Sequence, residues 1–75
     1  MLINAIIEKD DDGYFAFVPT LKGCVSQGDT YEEALINIKE ALELYMQSLE
    51  PLEIYAIQNK LSIIAPIEVQ LKPHG

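Results

Sequence analysis

The sequence predicts an α+β domain: a small antiparallel sheet with one long amphipathic helix packed on one face, in the order β-β-β-α-β. Three observations predict it. Two short runs rich in β-branched and aromatic residues, Leu2–Glu8 and Tyr14–Val18, flank a loop of turn formers. A capping signal at Thr30 opens a run whose apolar residues recur at three- and four-residue steps. Farther on, Ile67-Glu68-Val69-Gln70-Leu71 alternates apolar and polar residues, the period of a strand.

The first strand, Leu2–Glu8, puts Ile3, Ala5 and Ile7 on one face and Leu2, Asn4, Ile6 and Glu8 on the other. Lys9 to Gly13 then supplies turn formers, with Gly13 free to take positive φ. The second strand, Tyr14–Val18, completes a hairpin. Pro19 ends it, because proline cannot donate to a ladder. Cys24 to Gln27 is a short third strand after the connection Thr20-Leu21-Lys22-Gly23.

Thr30 and Glu33 have the spacing of a capping box, in which each side chain bonds the other residue's amide. From there Tyr31, Ala34, Leu35, Ile38, Ala41, Leu42, Tyr45, Met46 and Leu49 form one stripe of a helix over Tyr31–Leu49. Pro51 stops it, since the residue before a proline resists helical geometry. The stretch 51–66 admits two readings. Leu52, Tyr55, Ala56 and Leu61 allow a short second helix; Leu61 to Ile64 allow a strand. Ile67–Leu71 is the last strand, and residues 72–75 form a frayed tail.

One helix covers only one face of such a sheet. Yet the second strand is apolar on both faces, with Tyr14, Ala16 and Val18 on one and Phe15 and Phe17 on the other. A sheet with one solvated face alternates more cleanly. Tyr14, Phe15 and Phe17 are therefore the expected contacts of a homo-oligomer. Size points the same way. A chain of 75 residues forms one domain, residues 1–75, and buries only roughly 60% of its unfolded surface.

Charge narrows the partners. Twelve Asp and Glu stand against five Lys and no Arg, for a net charge of -7. Without guanidinium groups the chain lacks the usual bidentate reader of phosphate and guanine. Direct nucleic-acid binding is disfavoured, and a basic protein is the better partner. The single cysteine, Cys24, excludes an intrachain disulfide and suits a reducing cytoplasm. The first residues lack a basic region and a long apolar run, so no signal sequence is expected. No stretch reaches the roughly 20 apolar residues of a membrane span. The expected localisation is cytoplasmic.

The motifs in order are Asp12-Gly13-Tyr14, Gly23-Cys24, Gly28-Asp29-Thr30, Glu32-Glu33-Ala34-Leu35 and Glu40-Ala41-Leu42. Together they resemble the N-terminal domain of the HicB antitoxins, most strongly over residues 1–50. The resemblance implies a partial ribonuclease-H-like sheet and a small basic ribonuclease partner, a HicA-type toxin, whose catalytic histidine is occluded. Full-length members also carry a C-terminal segment that binds operator DNA, and this sequence ends where that segment would begin. It also has Lys22 where the family often has proline, and it is more apolar after the helix.

Catalysis is not expected. Two-metal nuclease chemistry needs carboxylates converging from strands and a helix. The strands offer only Glu8 and Glu68, near strand ends. Asp10, Asp11 and Asp12 lack the spacing of a calcium loop and belong to a solvated turn. Cys24 has no basic neighbour to make it a thiolate, and reads as a small buried hydrophobe. His74 has no second ligand nearby for a metal, and no cofactor is expected. The candidate partner surface is the outer helix face, where Glu32, Glu40 and Glu43 surround Ile36 and Leu44. Ile36, Glu40 and Leu44 lie four apart, along one row.

Overall fold

The structure, a computed structural model, describes residues 1–60 and 63–73. Its elements run β1 (Ile6–Asp10), β2 (Gly13–Phe17), β3 (Val25–Gly28), α1 (Tyr31–Gln47) and α2 (Pro51–Gln58). The strands form one antiparallel sheet in the order β1-β2-β3. Ile6 pairs with Phe17 and Asp10 with Gly13 across the first hairpin. Phe17 pairs with Val25 and Tyr14 with Gly28 across the second.

The α+β class holds, but the order is β-β-β-α-α and not β-β-β-α-β. Ile67–Leu71 forms no strand: it has no ladder partner among the described residues, and a strand exists only through its ladder. The first strand also begins later than its Ile-rich run, at Ile6, because β2 ends at Phe17 and offers nothing opposite Met1–Ala5. The ambiguous stretch resolves at its start as the short second helix. Pro51 sits at its first position, where a missing amide costs nothing, and Glu53 Oε1 accepts a bond from Glu50 N at 3.1 Å. Leu61 and Ser62 lie outside the described residues, and Ile63 and Ile64 have no regular structure.

The hairpin turn is closed by Asp10, whose carboxylate accepts a bond from Asp12 N at 2.8 Å. The β2–β3 connection is tied by Val18 N to Cys24 O, Leu21 N to Val18 O and Cys24 N to Leu21 O. At the start of α1, Thr30 Oγ1 accepts from Glu33 N at 3.1 Å. Only this half of the expected capping box forms; the Glu33 carboxylate does not return to the Thr30 amide.

The core lies between the sheet and α1. Ala16, Val18, Leu21, Cys24, Ala34 and Ile38 are buried, and Ile3, Ile7, Tyr14, Leu42 and Met46 pack around them. The expected helix stripe is too wide. Tyr31 and Leu35 are exposed, because three strands about 4.8 Å apart cannot cover so broad a flank. On α2, Ile54 and Ile57 turn inward, while Leu52, Tyr55 and Ala56 face solvent.

Two contacts fix α1 on the sheet. Asn37 Nδ2 donates to Gln27 O at 2.8 Å. Gly28 lets β3 run directly under the helix start, since a Cβ there would lie 2.5 Å from Ala34 N. The helix thus presents a defined face outward.

Candidate partner-binding surface

The buried residues of α1 are Ala34 and Ile38, one turn apart. Their position sets the opposite face. Ile36 is 64% and Leu44 63% exposed, and Glu32, Glu40 and Glu43 are exposed around them. The five expected partner residues therefore share the solvent side of one rigid helix: two aliphatic side chains framed by three carboxylates. Such a face suits a basic partner that offers an apolar pocket.

The expected oligomer contacts divide between two faces. Phe15 and Phe17 lie together on the uncovered face of the sheet, their ring centroids 5.9 Å apart. Val25, directly opposite Phe17, is 50% exposed on the same side. Tyr14 does not join them. It points to the helix side and packs on the core, as alternation along β2 requires.

A second acidic region was not legible as such. Asp10, Asp12, Asp29 and Glu33 line one open cleft of about 510 Å³ with Gln27 and Asn37. The register that pairs Tyr14 with Gly28 brings the hairpin turn beside the helix start. The signal that could have found it is the pair of glycines, because Gly13 at φ 132° lies so close that a Cβ would meet Gly28 O at 2.9 Å. Among the described residues no group of three His, Cys, Asp or Glu is placed to hold a metal ion.

Cys24 is buried, and desolvation pushes its thiol pKa above the ordinary value, so it stays protonated at neutral pH. Glu8 lies exposed on β1 and Glu68 exposed beyond the helices. His74 is outside the described residues. No helix among the described residues is long and apolar enough to cross a membrane.

No solved structure matches the chain at a significant level. A UPF0150 protein of Helicobacter pylori strain J99 is 68% identical over 69 residues, which cover 92% of this chain and 96% of the relative. A UPF0150 protein of Synechocystis is 64% identical over 47 residues, covering 61% of this chain and 60% of the relative. One from Thermoplasma acidophilum is 55% identical over 51 residues, covering 67% and 74%. Residues 3–70 match the family described as the HicB-like antitoxin of bacterial toxin-antitoxin systems, a span that reaches well past the motifs of the first fifty residues. With sheet, helix and motifs in that register, the chain belongs to the HicB-like antitoxin family.

Proposed function

We propose that this chain is an antitoxin domain that acts by binding, not catalysis, in the cytoplasm. Its partner is a small basic ribonuclease of the HicA type. The domain covers the toxin's active site so that RNA cannot enter. The observation that carries this reading is the outer face of α1, where exposed Ile36 and Leu44 stand among Glu32, Glu40 and Glu43. The carboxylates speed encounter and take the place of phosphate on the toxin's cations. The aliphatic pair holds the complex, because desolvated anchors carry most of the energy of an interface.

Binding kinetics against the cognate toxin at two salt concentrations test it. Glu40→Lys with Glu43→Lys should slow association roughly tenfold or more and reverse its salt trend. Ile36→Asp should instead raise the dissociation rate and release toxin activity. Circular dichroism should stay unchanged in each, since neither site touches the core. If all three substitutions bind like the parent, the toxin docks elsewhere.

A second reading is a non-catalytic interaction domain that forms homo-oligomers without a toxin. It is favoured by the apolar open face of the sheet, where Phe15 is 41% exposed beside Phe17 and Val25. Absence of binding to any neighbouring basic ribonuclease would leave this reading standing.

A further inference from the structure

The segment after α2 leaves the body of the molecule. Ile67, Val69 and Leu71 are 80%, 70% and 89% exposed. The molecule measures 55 × 30 × 17 Å, with a radius of gyration of 15.7 Å. A compact chain of this length has about 11 Å. Three large apolar side chains at period two, held in water, are a strand without a neighbour.

The sheet has a vacancy of matching kind. β1 is an edge strand, paired on one side only with β2. The core is unfinished along that edge, where Ile3 and Ile7 are only half-buried. A cavity of about 500 Å³ opens there, between Leu2, Ile3, Ile6 and Ile57. Thr20 Oγ1 in its wall is buried and has no hydrogen-bond partner among the described residues. Ile63 and Ile64 line the same cavity, so the departing segment starts beside the beginning of β1.

Pro66 constrains the start of the segment. Proline fixes its own φ near -65° and holds the preceding residue, Ala65, in extended geometry. In the structure Ile67, Val69 and Leu71 do not return to the chain's own β1, which is paired with β2 alone.

We propose that residues 66–71 add as a fourth strand to the free edge of β1 in a second copy of the chain, the two copies exchanging these segments reciprocally. A five-residue edge, Ile6–Asp10, meets a five-residue alternating segment, Ile67–Leu71. Ile67, Val69 and Leu71 go to the helix side, beside Ile3 and Ile7, and close the core there. Glu68 and Gln70 go to the open side. Reciprocal exchange closes under a twofold axis and leaves neither β1 edge exposed. The proposal stands independently of the toxin reading, because it uses the sheet edge and not the outer face of α1.

The test uses the full chain. Light scattering at micromolar concentration should give twice the chain mass of 8.4 kDa. Val69→Asp with Leu71→Asp should raise the dimer dissociation constant by roughly a hundredfold or more, since both charges would be buried. The double substitution should leave the helical circular dichroism signal intact. In a dimer mixed from isotope-labelled and unlabelled parent chains, filtered NOE spectra should connect the Val69 and Leu71 methyls to Ile7 of the other chain. A monomeric parent overturns the proposal. So do NOEs confined within one chain, which would mean that the strand returns to its own sheet. A double variant that remains dimeric overturns it too and moves the interface to the open sheet face. The NOE measurement on the parent decides the matter even if the double variant fails to fold.

Discussion

Gly28 ends β3 where the strand passes under the start of α1, and its lack of a side chain is what permits the crossing. A Cβ would stand 2.5 Å from Ala34 N and 2.9 Å from Glu33 C, both backbone atoms that cannot swing aside. Gly28→Ala should therefore push helix and sheet apart and cost about 1–3 kcal/mol, as overpacking does. Urea unfolding followed by circular dichroism measures it; a midpoint equal to the parent's would show that the contact is slack. The sequence ends the third strand at Gln27 and leaves Gly28 in the connection, whereas Gly28 is the last residue of β3. The reason is a distance between two elements, which no local pattern encodes. Cys24, by contrast, was legible from composition alone: a thiol with no basic neighbour is a small hydrophobe, and it lies buried in the core.

At the level of elements, α1 was the most legible part of the chain. Its apolar period and Thr30 locate it, and it ends at Gln47, where Ser48 Oγ donates to Tyr45 O at 2.7 Å. Thr30→Ala should cost about 1 kcal/mol, because the Glu33 amide loses its acceptor. Ile38→Ala should cost more, about 2–5 kcal/mol, since Ile38 is the largest side chain fully enclosed. Thermal unfolding of the two variants should keep that order; the reverse order would mean that the cap, not the packing, holds the helix. The end of the chain was legible only in part. In the sequence Pro51 reads as the stop of the first helix, and a second helix after it is one of two options; its inward residues, Ile54 and Ile57, are hidden in a segment apolar all round. The alternation of Ile67–Leu71 is a true strand pattern, yet pairing depends on what lies beside it, and no strand among the described residues pairs with it.

Across the whole molecule, charge and large apolar side chains share the outside. The net charge of -7 is carried on the outside; among the described residues no charged or polar residue is buried. Such a surface repels a polyanion. This chain by itself should form no sequence-selective complex with its own upstream DNA at moderate salt. A mobility-shift assay checks this, and a retarded, selective band would contradict it. Apolar surface is as conspicuous: Leu52 and Tyr55 on α2, Phe15 and Val25 on the sheet, and Ile36 and Leu44 on α1 are all open to water. The molecule is only 17 Å across its shortest dimension, which leaves little room to hide them within one copy.

The sheet is a simple meander, β1 to β2 to β3, and α1 packs back on the strands that immediately precede it. The largest contacts, β1 with β2, β2 with β3 and β3 with α1, are thus made between neighbours along the chain. Short loops close quickly, so this body should fold fast. The residues beyond α2 come last and add nothing to that step. Any pairing they make with another molecule is a second-order event whose rate falls with dilution. Under the proposed exchange, a newly folded molecule passes through a state in which the body is finished and its end is still free, and the protein's own concentration sets how long that state lasts.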